Sequence, residues 1–444
     1  MLVNTRKLIL SLIVLSGWNV AQAQEAWTLK QCIDTAQVHN KTLQINRNNI
    51  SISEQRKKEA RANLIPKVTA NADYKYFMEL PTQLMPMNAL NPQAPEGQFR
   101  DLQFGVPHNI NANVQLAMPL YNPQVYGAIQ STQIVKELTE LQFQKSEEQV
   151  LFDITTLYYN AQIIAHQLAF LDSNIANTEK LLKNMQLLKD QLLAKGSDVS
   201  KVKLQAEQLN IQRQNVNNKL IQVLNALKLN MGISLEQNIT VVSEIQQEVS
   251  LESNTRNVLE LKIIQKQNQL LRSDLKTLNQ SRFLPSLNLV ASYGTTGFGY
   301  DKKPNNFLKF YPIGFAGIQL SYPLFNGTVT QRKINQKKLE ITNNELQSKL
   351  ITEKNDMEVE SAIRQKTIAQ STITNTESQI ALAKTIYDQT VLQQKQGTAS
   401  LTDVLLADNA LREAQQNYLN AVIDFLKADL ELKKLTGSIT SIKN

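Results

Sequence analysis

Residues 64–74 read LIPKVTANADY, and residues 283–293 repeat the pattern as FLPSLNLVASY. A second stretch is repeated in the same way, because VQLAMPLYN at residues 114–122 returns as IQLSYPLFN at residues 318–326. The two stretches occur in the same order in both halves of the chain. Two copies of this length indicate a duplicated structural unit and not a short solenoid repeat.

These stretches alternate between apolar and polar side chains. Residues 109–116, for example, read NINANVQL without an error in the alternation. About ten residues of this pattern are typical of a transmembrane β-strand that is apolar toward lipid and polar toward the lumen. The sequence therefore predicts four strands, at about 66–76, 109–120, 285–295 and 313–324. The polar positions predicted to line the lumen are Asn113, Gln115, Asn288 and Gln319.

Aromatic residues gather around the predicted strands. Of the 25 phenylalanines and tyrosines, 17 lie within residues 64–126 and 283–325. Membrane barrels carry aromatic girdles at both interfaces, whereas the turns of a soluble sandwich rarely concentrate aromatic residues. The pattern thus favours a membrane barrel. Because four strands cannot close a barrel and an open sheet edge is not stable in lipid, several copies must pool their strands, and three copies supply twelve.

The rest of the chain has a helical character. Residues 125–231 and 333–435 contain no proline, and their only glycines are Gly127, Gly196 and Gly397. Apolar residues recur there at steps of three and four, as in a coiled-coil seam. One such row is Leu151, Ile154, Tyr158, Ala161, Ala165 and Leu168. Each copy is therefore predicted to form an antiparallel hairpin of two very long helices.

Two glycines mark the expected turns of these hairpins. Glycine readily adopts the positive φ that ends many helices. The first hairpin, residues 125–231, is expected to turn at 195–198 around Gly196. The second, residues 330–435, is expected to turn at 395–400 around Gly397.

The N-terminus indicates export. Arg6 and Lys7 precede an apolar run at residues 8–18, and small residues follow before Gln24. This is the pattern of a secretory signal peptide over residues 1–23, and the apolar run is shorter than the ~20 residues that span a bilayer. The single cysteine, Cys32, cannot form an internal disulfide and is expected to pack as a small apolar residue.

Composition and motifs argue against two other classes of function. The net charge of +8 comes from basic residues scattered among carboxylates, which does not resemble a nucleic-acid interface. The three histidines, His39, His108 and His166, are far apart and lack metal-ligand spacing. His166 is expected to be a packing or surface residue. Without a catalytic constellation, the sequence predicts neither an enzyme nor a bound cofactor or metal.

The doubled order of helix, strand, strand, long helix, turn and helix resembles the TolC-like outer-membrane efflux proteins, also called outer membrane factors. Residues 28–36, TLKQCIDTA, followed by Asn40, are similar to the first-helix motif of that family. The second turn, Gly397 and Thr398 followed by residues 401–407, is similar to its second hairpin-turn motif. The resemblance extends over residues 25–440.

The resemblance implies an α+β membrane protein that assembles as a homotrimer. A twelve-stranded barrel in the lipid of the outer membrane continues into a periplasmic α-helical coiled-coil barrel. The implied divisions are a first repeat at 24–232, an equatorial linker at 233–256, a second repeat at 257–436 and a tail at 437–444. The implied function is the exit duct of a tripartite efflux or type I secretion system. Its partners would be a periplasmic adaptor and an inner-membrane pump of the RND or ABC type.

The resemblance also implies a gate and a docking site at the helical turns. The family's inner hairpin carries two aspartates that form anionic rings, and this chain has the first, Asp403, but Leu406 in place of the second. The family's closing network of Asp, Tyr and Arg is absent, because those positions hold Val202, Gln394 and Ala399. The turns expected to meet the adaptor hold Lys195, Gly196, Ser197, Asp198, Lys395, Gly397 and Thr398.

Plainer alternatives exist for these residues and for the whole chain. Asp403 could serve only to cap its helix, and the charges at the turns, with Lys201 beside them, could be solvated surface groups. A periplasmic coiled-coil adaptor or scaffold also uses long helical hairpins. Such a protein would carry one hairpin within glycine-rich soluble β domains and not two, each preceded by a pair of lipid-type strands.

Overall fold

The computed structural model of the chain describes residues 26–90, 92–93, 95–244, 259–304 and 306–439. The predicted signal peptide, residues 245–256 of the predicted linker and residues 440–444 of the predicted tail lie outside the described residues. The described elements are, in order, α1 (Leu29–His39), α2 (Lys41–Ala62), β1 (Lys67–Tyr76), β2 (Thr82–Pro86), α3 (Met87–Leu90), β3 (Phe99–Gln103), β4 (His108–Tyr121), α4 (Pro123–Asp190), α5 (Gly196–Met231), α6 (Leu259–Phe283), β5 (Ser286–Tyr300), β6 (Phe307–Ser321), α7 (Val329–Lys395) and α8 (Leu401–Leu435).

The order of the elements repeats along the chain. In the first half α2, β1, β4, α4 and α5 follow one another, and in the second half α6, β5, β6, α7 and α8 do the same. This confirms the predicted duplication of a helix–strand–strand–helix–helix unit. The first copy also contains the small β2–β3 hairpin, which the sequence did not predict because strands of five residues show too little alternation.

The four long strands form one antiparallel sheet in the order β1-β4-β5-β6. The register pairs Gln115 of β4 with Ser292 of β5, and Ser292 with Phe315 of β6. Side chains of directly paired residues lie on the same face of a sheet, and alternate residues lie on opposite faces. The register between β4 and β5 shifts once, between Pro119 and Tyr121, where a β-bulge adds a residue to β4.

The β5–β6 hairpin is longer than predicted at its turn. β5 continues to Tyr300 and β6 begins at Phe307, whereas the predicted strands were 285–295 and 313–324. Gly297 and Gly299 break the alternation in sequence, but a glycine in a strand often marks a place where another group approaches closely. A Cβ atom at Gly297 would lie 2.6 Å from Cε1 of Phe310, so the ring occupies that space. β6 ends at Ser321, short of the predicted 324, because the nearby Pro323 has no N–H to donate.

Only the first helix of each hairpin is very long, which corrects the expectation of two. α4 has 68 residues and α5 has 36, while α7 has 67 and α8 has 35. At ~1.5 Å per residue α4 is about 100 Å long. Other helices run beside the first part of α4, where Glu54 of α2 pairs with Lys136 at 2.8 Å and Lys266 of α6 pairs with Glu137 at 2.7 Å. Within the described residues, no helix combines the length and the apolar character that crossing a membrane requires.

The two hairpin turns are built differently, and one differs from the prediction. Gly397 has the expected positive φ of 76°. Gly196 does not; it is the first residue of α5, and the turn precedes it at residues 191–195. There Leu192 takes the left-handed conformation with φ 60°, and the amides of Leu193 and Ala194 both donate to the carbonyl of Leu188. The first turn therefore lies a few residues earlier than 195–198.

A core around Cys32 joins α1 to the middle of α4 and to the end of α5. The Cys32 side chain is 0% exposed and packs with Ile154 and Tyr158 of α4 and Leu227 and Met231 of α5. Burial raises the pKa of the thiol to about 12. Cys32 is thus a packing residue, as the sequence predicted.

The described part of the predicted linker runs along α4 and is held there by side chains of that helix. The amide of Trp27 donates to Thr240 at 2.7 Å, and the two backbone segments form a parallel bridge. Gln162 Nε2 donates to the carbonyls of Val242 and Glu244, both at 2.8 Å. His166 Nε2 lies 2.7 Å from the carbonyl oxygen of Ser243. His166 is therefore a contact residue for the linker and not merely a surface group.

The burial of Cys32 predicts an unreactive thiol. In the folded protein at pH 8, a maleimide should modify Cys32 about a hundredfold or more slowly than it modifies a free thiol, because thiolate is the reactive form and the site is closed. Denaturant should restore full reactivity. The matched control is Val38→Cys on the exposed face of α1, which should react rapidly in the folded state. Equal labelling rates at the two positions would contradict the buried position of Cys32.

Candidate functional site

The candidate gate residue Asp403 lies in the first turn of α8. Its Oδ2 atom accepts hydrogen bonds from the Ser400 amide at 2.8 Å and from the Ser400 hydroxyl at 2.7 Å. Ser400 Oγ in turn accepts from the Asp403 amide at 3.3 Å. The two residues form a capping box, which satisfies backbone donors at the start of the helix. The bonds from the Ser400 side chain and backbone lower the pKa of the Asp403 carboxyl, so the carboxylate is held in its charged form.

The neighbours of Asp403 on α8 divide into a buried row and an exposed row. Leu401 and Val404 are buried in an apolar cluster. Leu406, which replaces the family's second aspartate, is 63% exposed. Residues three apart share a face of a helix, so Asp403 and Leu406 lie on the face that points away from this cluster.

An apolar cluster brings the two hairpin turns together. Leu181, Met185 and Val202 of the first hairpin pack with Tyr387 and Leu401 of the second. Val202, at the position where the family has its closing aspartate, is completely buried in this cluster. At the family's tyrosine position, Gln394 donates to the Met185 sulfur atom at 3.5 Å. At two of the three positions of the family's closing network, this chain thus has a buried valine and a glutamine that donates to a methionine sulfur atom.

The candidate docking residues are presented on the surface of the two turns. The exposed members are Lys195, Gly196, Ser197, Lys395, Gly397 and Thr398. Asp198 is more buried and accepts from Lys201 Nζ at 3.4 Å in the first turn of α5. Thr398 donates from its amide to the Gln393 carbonyl at 2.9 Å, which closes the second turn. Each turn therefore presents one exposed lysine and small residues, and the first turn also presents the exposed side chains of Leu192 and Leu193. Whether an adaptor binds there stays a prediction.

A buried carboxylate near the turns was not found from the sequence. Asp408 of α8 is only 5% exposed, and its Oδ2 accepts from Gln205 Nε2 of α5 at 3.0 Å and from Arg412 at 3.1 Å. Burial raises the pKa of Asp408, and the charge of Arg412 and the Gln205 bond oppose that rise. The contact joins the two hairpins. Asp408 follows an apolar residue on an ordinary helix, so only the fold reveals its partner on the other hairpin.

The predicted lumen residues lie on one face of the sheet. Asn288 of β5 pairs directly with Gln319 of β6. Asn113 and Gln115 of β4 pair with Gly294 and Ser292 of β5, which are an even number of residues from Asn288 and therefore lie on the same face. The opposite face carries the apolar members of the alternation, such as Leu116, Leu289 and Leu320. The register therefore brings all four residues together on a single polar face. No cluster of metal-binding side chains occurs in the described part of the chain.

Removal of Gln205 should show how much stability the protein loses when the buried Asp408 carboxylate has one donor fewer. Gln205→Leu takes away one of two donors, and we expect the free energy of unfolding to fall by roughly 1–3 kcal/mol near neutral pH. Since a raised carboxyl pKa favours the folded state more at low pH, the deficit should shrink as the pH falls and Asp408 becomes protonated. The midpoints of denaturant-induced unfolding at several pH values measure how this loss of stability depends on pH. The control, Gln208→Leu on the exposed face of α5, should have little effect, and a deficit independent of pH would contradict the assignment.

Comparisons with known proteins agree with this fold. Residues 259–438 match the sequence family described as "Outer membrane efflux protein". The outer membrane protein TolC of Salmonella enteritidis is 20% identical over 449 residues, covering 98% of this chain and 87% of TolC.

Solved structures of outer-membrane proteins share the fold. The crystal structure of VceC from Vibrio cholerae superposes with a TM-score of 0.71 at 15% identity, over 92% of this chain and 96% of VceC. The CmeC outer membrane channel of Campylobacter jejuni gives a TM-score of 0.73 at 14% identity, over 92% of this chain and 85% of CmeC. The predicted resemblance to the TolC-like outer-membrane efflux proteins is therefore confirmed.

Proposed function

We propose that this chain is the outer-membrane exit channel of a tripartite efflux or type I secretion system. The observation that carries the proposal is the four-stranded sheet, which has one face that is polar on β1 and β4, an opposite face that carries the apolar members of the alternation, and two open edges. A sheet of this kind is suited to lipid on one side and to a water-filled lumen on the other. In the homologous channels named above the same fold serves the outer membrane.

The directions of the edge strands support closure by further copies. β1 is antiparallel to β4, β4 to β5 and β5 to β6, so the edge strands β1 and β6 run in opposite directions. β6 of one copy can therefore pair with β1 of the next and continue an all-antiparallel sheet. Three copies give twelve strands, which is within the range of membrane barrels and leaves no open edge in lipid. We infer a homotrimer on this ground.

The long hairpins then form the wall of a tunnel in the periplasm. The exposed lysines and the small polar residues of the two turns offer a surface for a periplasmic adaptor. An inner-membrane pump of the RND or ABC type would supply the energy, and cargo would pass through the lumen by diffusion. The matching family is described as outer membrane efflux proteins, which supports a channel and not an enzyme.

A matched pair of arginine substitutions tests the outer-membrane barrel. Leu320 and Gln319 are neighbours on β6 and lie on opposite faces. Leu320→Arg places a charge toward lipid next to the end of β6, where it should cost about 1 kcal/mol, whereas Gln319→Arg points to water and should cost less. We expect Leu320→Arg alone to reduce the detergent-stable trimer recovered from the outer membrane. Fractionation measures how much of each variant reaches the outer membrane, and native mass spectrometry measures how much of it is trimer.

Two results would contradict the proposal. A wild-type chain that is extracted without detergent would indicate the coiled-coil scaffold. A stable membrane species that is a monomer or dimer would exclude the pooled barrel.

The gate prediction concerns the charge of Asp403. We propose that three copies of Asp403 face one another near the periplasmic end and focus a negative potential in the opening. Asp403→Asn keeps an acceptor for Ser400 and removes only the charge, so it should lower cation selectivity and weaken block by a trivalent cation in planar-bilayer recordings. Leu406→Asp should add a second ring and strengthen both effects. Unchanged selectivity in both variants would show that Asp403 serves only as a helix cap.

A further inference from the structure

On the face of the sheet that carries the amides, the register places a row of small residues between a polar row and a row of large apolar residues, and the three rows outline a groove. Its floor is formed by the small residues Ser292, Gly294 and Thr296 of β5. On one side the register places an amide or polar residue beside each of them, in the row Gln115, Asn113 and Asn111 of β4. On the other side it places a large apolar residue beside each, in the row Phe315, Ile313 and Tyr311 of β6. We call this feature the β5 groove.

The apolar wall departs from the pattern of the rest of this face. The water-facing side of a barrel strand is usually polar, and β1 and β4 obey that rule in the rows beside the groove. In β6, however, Tyr311, Ile313 and Phe315 are 51%, 59% and 61% exposed on the same face as the amides. Large apolar side chains that are exposed together as a patch often mark a binding surface, whereas single exposed apolar residues are ordinary.

Closure of the barrel by further copies would leave this wall uncovered. A neighbouring β1 would pair with β6 through backbone hydrogen bonds in the plane of the sheet. Side chains stand roughly perpendicular to that plane, so the pairing does not shield the face of β6 that carries the wall. The groove would thus stay open to the lumen.

The dimensions of the groove suit a small molecule. The rows on β4 and β6 are two strand spacings apart, or roughly 9–10 Å, and three alternate residues extend about 13 Å along the strand. Phe298 lies on the same face of β5 beyond Thr296, and its ring centroid is 6.0 Å from that of Tyr311, which closes the groove at that end. A larger residue at the centre of the floor is excluded, because a Cβ atom at Gly294 would lie 2.2 Å from the Ala112 carbonyl oxygen.

The chemistry of the walls defines the ligand. The amide side chains offer both donors and acceptors; Asn113 accepts from Asn71 at 3.5 Å, and Asn111 donates to Asp73 at 3.2 Å. The nine groove residues themselves include no charged side chain, and the charged neighbours on the same face are of both signs, with Asp73 beside Asn111 and Lys309 beyond Tyr311, so no single sign of charge is favoured. We propose that the β5 groove binds neutral amphipathic small molecules, with their aromatic or aliphatic edge on β6 and their hydrogen-bonding edge on β4. This inference rests on the proposed function, since only the assembled barrel makes this face a lumen.

Single-channel recordings with chloramphenicol as the probe test the proposal, because this neutral molecule has an aromatic ring and an amide with hydroxyl groups. We expect it to block the wild-type channel transiently. Ile313→Asn and Phe315→Ser each replace part of the apolar wall and should shorten the blocked time about tenfold, as loss of one buried apolar contact predicts. Gln319→Ser, on the same face of β6 but outside the groove, should leave the blocked time unchanged. Equal unblocked conductance in all four proteins shows that the barrel has assembled.

Cysteine labelling provides a second and independent readout. Ile313→Cys should react with a charged, water-soluble methanethiosulfonate reagent in the assembled channel, and chloramphenicol should protect it. Cys32 does not interfere, since it is buried and its thiol pKa is raised to about 12.

Three outcomes would overturn the inference, and they are distinguishable. Blocked times that do not change in either wall variant, or that change equally in Gln319→Ser, would show that the groove does not bind the probe. An unreactive Ile313→Cys beside a reactive Asn113→Cys would show that protein from this or another copy covers the wall. A wild-type chain without any conductance would overturn the proposed function itself.

Discussion

A backbone amide or carbonyl that leaves water needs a hydrogen-bond partner, and this requirement governs the sheet of this protein. In the order β1-β4-β5-β6 the two inner strands are paired on both sides, whereas β1 and β6 are each paired on one side. The alternation of side chains makes one face suitable for lipid, but the edges are not suitable until other strands cover them. For the proposed outer-membrane channel, assembly of several copies is therefore a condition for membrane insertion and not a later addition. The antiparallel relation of β1 to β6 is what allows identical copies to meet that condition.

The helical part relies on another kind of contact, since each hairpin offers only a narrow apolar seam. Near the turns, Val202 and Tyr387 belong to one apolar cluster that joins the hairpins, and Gln205 adds a bond to the buried Asp408. Farther along, Lys366 of α7 and Lys433 of α8 both pair with the buried Asp429, at 2.8 and 2.9 Å. Buried charges of this kind add little net stability, but they are costly to separate and so favour one arrangement of the helices. Apolar packing and the Gln205–Asp408 bond thus join the two hairpins, whereas the Asp429 contacts hold α7 against α8 within the second hairpin.

The features that the sequence predicted well are those with a local period. The alternation in residues 109–116 and the proline-free runs identified the strands and the helices, and the pattern near Cys32 indicated a packed thiol. Features that depend on contacts between distant residues were missed. Leu192 adopts positive φ in place of Gly196 because hydrogen bonds to the Leu188 carbonyl define that turn. Asp408 and the β5 groove were missed for the same reason, since no local pattern shows that Gln205 meets Asp408 or that Phe315 pairs with Ser292.

The two interpretations of Asp403, as a helix cap and as a gate charge, support each other in physical terms. A ring of converging carboxylates raises the pKa of each member, because like charges oppose ionisation. Ser400 acts in the opposite direction, since its amide and hydroxyl donate to the carboxylate and lower the pKa of Asp403. The capping box thus contributes stability that is lost only as the pH falls through this lowered pKa, and above it the carboxylate stays charged. The hydrogen bonds that begin α8 would in this way keep three neighbouring carboxylates ionised, which is what an electrostatic gate requires.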